Sequence, residues 1–175
     1  MKLEFQNLEL VNFRSFVGRH AFSFNEPGLH FMRGRNEAEP RLTANDVGKS
    51  TLFDCLSWVL WGRTAKGLQN LDIRPWATGK KSTTGTVWVA VDGKSHQIER
   101  GADPNYVRVD GRDCTNEHIN ELLQLNYEIG SHTILLGQGK PLFFDLKPMG
   151  KMWFLIWYMI KENGRLKWHL DLKDL

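Results

Sequence analysis

The residues best suited to do chemistry are the run Asn45, Asp46, Val47, Gly48, Lys49, Ser50 and Thr51. Gly-Lys-Ser between an apolar segment and a periodic apolar run is the heart of a phosphate-binding loop. Each residue type has a task. Gly48 lets backbone N–H groups turn toward a phosphate. Lys49 sets a point charge against the β- and γ-phosphates, and the Ser50 hydroxyl is suited to ligate Mg²⁺. A helix that starts here adds free N–H groups and the positive end of its dipole. The spacing departs from the standard loop. Thr43 stands where the first glycine is expected, and the nearest earlier glycine, Gly34, lies fourteen residues before Gly48. Either Thr43 substitutes, or the stretch GRNEAEPRLTA carries an insertion.

The elements that must position this loop follow from apolar spacing. Residues 2–13 alternate loosely around Leu3, Phe5, Leu8 and Leu10, which predicts a half-buried strand. RHAFSF at 19–24 alternates again, and GLHFMR at 28–33 reads as a third short strand before the loop. After the loop, Leu52, Phe53, Leu56, Val59 and Leu60 form one helical stripe, and Gly62 is a suitable stop. Residues 63–84 carry Arg63, Lys66, Arg74, Lys80 and Lys81 without a period, as in an exposed basic connection. TVWVAV and KSHQIER flank Asp92-Gly93, the turn chemistry of a hairpin, and NYVRV leads to a second Asp-Gly at 110–111. Thr115 can cap a helix running to about Leu125, with Ile119, Leu122 and Leu123 inward. HTILL at 132–136 reads as a strand, and a last helix is expected from Pro148 to near Ile160. The sum is an α/β fold with a mixed sheet, an antiparallel meander and a phosphate-loop helix.

Composition excludes several classes. At 175 residues, 41% hydrophobic and 25% charged, the chain is neither disordered nor fibrous and can bury a real core. Lysine plus arginine exceeds aspartate plus glutamate by 23 to 20. That excess permits contact with nucleotide or nucleic acid without requiring it. Cys55 and Cys114 make no CxxC or CxxH pair, so the expectation is two reduced thiols in a cytoplasmic protein. The longest apolar run, Trp153 to Ile160, falls far short of the ~20 residues that span a bilayer. No signal-peptide core is visible in MKLEFQNLELVNF. A soluble protein is expected.

LELVNFRSF, FSF, the Gly34-to-Ser50 loop and TLFDCLSWVLWGRTAKGL together resemble the N-terminal lobe of SMC/SbcC-like ABC-type ATPases. The loop pattern GxNExxPxxxxNxxGKS is most similar to the phage-type ATPase subunit of a recombination endonuclease. LLGQGKPLFFDLKP resembles the segment that carries this family's Q-loop glutamine. The resemblance covers about residues 1–150; residues 151–175 form an atypical apolar helix and a polar tail. It implies that Asn45, Asp46, Val47, Gly48, Lys49, Ser50 and Thr51 hold ATP phosphates, with Ser50 and Gln138 on Mg²⁺. Gln138 would contact the metal or the attacking water, Arg14 would approach the nucleotide, and Asn36 would sit near the start of the loop.

The resemblance also implies a DNA-processing role, with Arg63, Lys66, Lys80 and Lys81 as candidate contacts to DNA phosphates; Trp61 and Trp76 nearby could stack on bases, although such residues more often pack. The family's signature motif, Walker B carboxylates, switch histidine, heptad coiled coils and zinc hook have no counterpart in this sequence. The expected function is therefore the ATP- and Mg²⁺-binding half of a DNA recombination or repair ATPase that does not hydrolyse ATP alone. Its expected partners are a nuclease subunit, a second ATPase lobe, DNA or another copy of the chain. The alternative is a non-enzymatic mimic that binds and inhibits such a complex.

Overall fold

The computed structural model describes residues 2–135, except for 25, 27, 29, 35–47, 76–78, 80 and 81. Strands β1 (Leu3–Phe13) and β2 (Phe16–Ser23) precede helix α1 (Lys49–Trp61). Then come β3 (Thr83–Val91), β4 (Lys94–Ala102), β5 (Tyr106–Val109) and β6 (Arg112–Asp113), and the helices α2 (Asn116–Leu123) and α3 (Tyr127–Thr133). The six described strands form one sheet in the order β2-β1-β3-β4-β5-β6, and every pairing is antiparallel. No described helix is long and apolar enough to cross a membrane.

Strand alternation builds the core. Leu8, Val87, Ile98 and Val109 lie opposite one another across four strands and are all buried. The next row on the same face is Leu10, Gly85 and Arg100. The opposite face carries Glu9, Thr86, Glu99 and Arg108 in register. Hydrophobic residues thus face the helices and polar ones face outward, as expected for an antiparallel sheet covered on one side.

Helix α1 lies on the apolar face and is buried almost all round. Leu52, Leu56, Val59 and Leu60 take the core positions that their spacing predicts, but Phe53 is 46% exposed. Trp58 and Trp61 are buried in its place. Trp58 donates from Nε1 to Asn70 Oδ1 at 2.9 Å, and Trp61 packs edge-on against Tyr127. Gly62 ends the helix in the left-handed conformation, with its N–H on Trp58 O. Arg100 reaches the same end. Its Nε donates to Val59 O at 3.0 Å and its Nη2 to Asn116 Oδ1 at 2.6 Å. Burial pushes this guanidinium down to about 10, so it stays cationic at neutral pH and complements the negative end of the α1 dipole.

Among the described residues, two predicted strands do not form. His30 to Arg33 lie outside regular structure, with Phe31 85% exposed and the His30 ring turned to Glu26 O at 2.7 Å. A strand there needs a ladder partner, and the described sheet ends at β2 on that side. Residues 132 and 133 belong to α3 instead of a strand. Asn126 caps that helix by accepting from Ile129 N–H at 2.9 Å, and the Thr133 hydroxyl donates back to Ile129 O. A local cap therefore overrides the β-branched composition of the HTILL stretch. The segment after α1 also differs from an unanchored connection. Arg63 and Lys66 are exposed, but Thr64 and Ile73 are fully buried and the Tyr127 hydroxyl donates to Thr64 O. The helix expected after Pro148 lies outside the described residues.

The sheet meets α1 most closely at Gly85. A Cβ there would come 2.4 Å from Val59 Cγ2 and 3.1 Å from Cys55 Sγ. Gly85→Ala is therefore expected to overpack the interface and cost about 1–3 kcal/mol. Urea unfolding of the variant checks it; an unchanged midpoint would mean that helix and sheet can separate without loss.

Candidate functional site

The site is built where the β1–β2 turn meets the start of α1. Phe13 pairs with Phe16 across a two-residue turn made by Arg14 and Ser15. Asn12 locks the turn: its Oδ1 accepts from Gly18 N–H at 2.9 Å, and its Nδ2 donates to Ser82 O. Arg14 has φ 49, a left-handed conformation that glycine would hold without strain. Placing an arginine there costs roughly 1–2 kcal/mol, so the turn is not chosen for its own stability.

The two turn residues and Phe16, the first residue of β2, reach α1 one after another. Arg14 Nη1 lies 2.9 Å from Asp54 Oδ2 in an ion pair. Ser15 Oγ lies 3.4 Å from Thr51 Oγ1, a long contact for two hydroxyls. Phe16 lies against Gly48, and a Cβ on Gly48 would come 2.7 Å from Ser15 Oγ and 3.3 Å from the Phe16 ring. Gly48 also has φ 82. Only glycine satisfies both the backbone angle and the close approach.

Gly48 begins the helix and has no side chain to accept from the first-turn N–H groups. Its carbonyl accepts from Thr51 N–H at 3.0 Å and from Leu52 N–H at 3.4 Å. No acidic residue occupies the first turn, so the positive end of the dipole is not neutralised from within the helix. Lys49 is half-buried, Ser50 exposed and Thr51 buried. The geometry can receive an anion at the helix start, with a hydroxyl on the solvent side for a cation that the anion brings.

Asp54 is the residue that sequence reasoning does not single out. Its side chain is 4% exposed, on a helix that is otherwise mostly apolar. Burial raises its pKa above the ordinary aspartate value, against the opposing effects of Arg14, Lys66 and the Ala65 N–H. The available signal was a lone carboxylate inside an apolar helix. Its partner stands forty residues earlier, so the sequence carries no local trace of the pair.

Of the sequence-predicted residues, Arg14, Gly48, Lys49, Ser50 and Thr51 lie together around this helix start. Asn36, Asn45, Asp46, Val47 and Gln138 lie outside the described residues, as do Trp76, Lys80 and Lys81. Trp61 is 6% exposed and packs beneath α3, so it is no stacking surface. Arg63 stands over the Tyr127 ring at 4.5 Å. Both cysteines are free thiols, and burial pushes the Cys55 thiol up, which keeps it protonated.

The model of the family described as AAA domain matches residues 7–167. The chain belongs to the AAA domain family. The chain is 31% identical over 114 residues to the DNA double-strand break repair Rad50 ATPase of Sulfurisphaera tokodaii. That match covers 55% of this chain and 12% of the relative, so the chain spans a small part of that protein's length. Among solved structures, the recombination mediator protein RecF with ATP matches at TM-score 0.53 and 19% identity. The match covers 67% of this chain and 30% of that one, and it shows a shared fold. The SMC head domain from Thermotoga maritima matches at TM-score 0.44 and 17% identity, over 67% of this chain and 41% of that one. The fold agrees with the expected α/β class.

Gly48→Ala tests the geometry without any ligand. The added methyl meets Ser15 in a backbone conformation that costs an L-residue about 1–2 kcal/mol. The urea midpoint is expected to fall at unchanged slope. A midpoint equal to wild type would mean that the turn does not lie against the helix start.

Proposed function

We propose that this chain holds ATP with Mg²⁺ as the phosphate-binding half of a DNA-repair ATPase head of the SMC/Rad50 kind. The observation that carries this reading is the placing of Arg14, Ser15 and Phe16 against the first turns of α1, at the Gly48-Lys49-Ser50 motif. Gly48 and the first-turn N–H groups receive the phosphates, Lys49 balances the β- and γ-phosphate charge, and Thr51 supports the loop. The exposed Ser50 hydroxyl fits a hard cation that takes oxygen ligands and arrives with the phosphates. Bound Mg²⁺ would neutralise phosphate charge as a Lewis acid. Asn36, Asn45, Asp46 and Val47 complete the loop in this reading, and Gln138 adds a contact to the metal or to water.

The name of the Sulfurisphaera relative supports a role in double-strand break repair. The finer reading, an ATPase subunit of a phage-type recombination nuclease, rests on the long loop from Gly34 to Ser50. It implies a cytoplasmic protein that works with a nuclease subunit and a second ATPase lobe. Contact with DNA through Arg63 and Lys66 would be weak and salt-dependent, because the net charge is only +3.

Calorimetric titration of ATP with Mg²⁺ tests the reading. Lys49→Ala removes a charge-assisted contact, and affinity is expected to fall roughly ten- to hundredfold. Equal affinity of wild type and variant would overturn the assignment. Phosphate release by the chain alone is expected to stay at the Lys49→Ala background, since the resemblance puts the catalytic carboxylate in a second lobe. Turnover that Lys49→Ala abolishes would overturn that expectation.

A further inference from the structure

The Arg14–Asp54 pair is poorly explained as a stabilising contact. Asp54 is buried on α1, and Arg14 is held in a left-handed turn position that suits glycine. Replacing a buried ion pair by neutral groups is often neutral or stabilising, because two charges must leave water. The groups that face the Asp54 carboxylate are Arg14 from the β1–β2 turn, Lys66 and the Ala65 N–H from the segment after α1, and Cys55 beside it on its own helix. Burial still outweighs the three favourable partners and raises the carboxyl pKa. For a group raised in the folded state, the stability it contributes is present at low pH and lost as pH rises through the folded value. At neutral pH the Asp54 charge therefore does not favour folding.

The pair does have a position. It lies one turn past Gly48–Thr51, and it faces the segment that follows α1. Lys66 and the Ala65 N–H favour the Asp54 charge from the segment after α1, and the Arg14 N–H donates to Ile73 O at 2.7 Å. A guanidinium has five donors in a rigid fork, and Asp54 engages one of its terminal nitrogens. The same group can thus be held from one side and meet a phosphate oxygen with the other.

We propose that Asp54 is a positioning residue of the nucleotide site. It fixes the Arg14 guanidinium beside the phosphate loop and links that loop to the segment between Thr64 and Ile73. The inference rests on the reading of Gly48–Thr51 as the phosphate binder. Asp54 itself touches no nucleotide; it acts through Arg14.

The test is a titration of ATP with Mg²⁺ into wild type, Lys49→Ala, Arg14→Ala, Asp54→Asn and the Arg14→Ala/Asp54→Asn double variant, with thermal unfolding of each. Asp54→Asn is expected to weaken binding about five- to tenfold, the size of a typical coupling between contacting groups. The double variant should bind no more weakly than Arg14→Ala alone. The unfolding midpoint of Asp54→Asn at neutral pH should equal or exceed that of wild type. Acidification toward the ordinary carboxylate range should bring wild-type affinity down to that of Asp54→Asn, whose curve carries the titration of ATP itself. Unchanged affinity for Asp54→Asn, alongside a loss in Lys49→Ala, would overturn this inference and leave the nucleotide reading standing. Full additivity of Arg14→Ala and Asp54→Asn would do the same. Failure of Asp54→Asn to fold would make Asp54 a stabilising residue and also overturn the inference. Equal binding by wild type and Lys49→Ala would remove the nucleotide reading, and the inference with it.

Discussion

The fold depends on how closely the start of α1 is seated against the β1–β2 turn. At Gly48 there is no room for a methyl group, and the backbone takes a conformation that favours glycine. Ser15 and Phe16 lie against that point, and Arg14 grips the helix one turn further on. Farther along, Gly85 lets the helix touch the sheet through Cys55, Trp58 and Val59. At the far end Gly62 and Arg100 close it. A helix fixed at both ends and buried on most sides cannot slide, so the direction of its first N–H groups is set by the whole sheet.

That arrangement explains why polar groups are buried along an apolar helix. Ser57 donates to Arg63 O, Trp58 to Asn70 and Arg100 to Val59 O, and each bond ties α1 to chain outside it. These are satisfied groups, and buried groups that keep their partners are cheap to retain. Asp54 differs, because its charge is disfavoured by burial and its partner occupies a strained turn. Where local rules for stability are broken together, a functional constraint is the usual cause.

Much of the fold is legible in the sequence because its signals are local. Alternation marks β1 to β4, Asp92-Gly93 and Asp110-Gly111 mark turns, Thr115 caps α2 and Gly62 stops α1. The rest is decided by partners, distant or local, that composition does not show. The 28–33 stretch has strand composition but no described ladder partner, and residues 132 and 133 are helical because Asn126 caps them. Packing decides for Trp61 through α3, where a Cβ on Gly130 would come 2.2 Å from the indole. The Gly48-Lys49-Ser50 motif is legible as chemistry, whereas the Asp54 partner of Arg14 is visible only once the fold brings residues forty apart together.

The central claim is that the helix start and the turn pressed against it form one phosphate-receiving unit. Amide hydrogen exchange, measured with and without ATP and Mg²⁺, tests it most directly because it reads position and occupancy at once. The account expects slowed exchange at Lys49 to Leu52 and, in the same titration, at Arg14 to Phe16. Exchange unchanged in both stretches at saturating nucleotide, or slowed only in parts of the sheet remote from them, would contradict it.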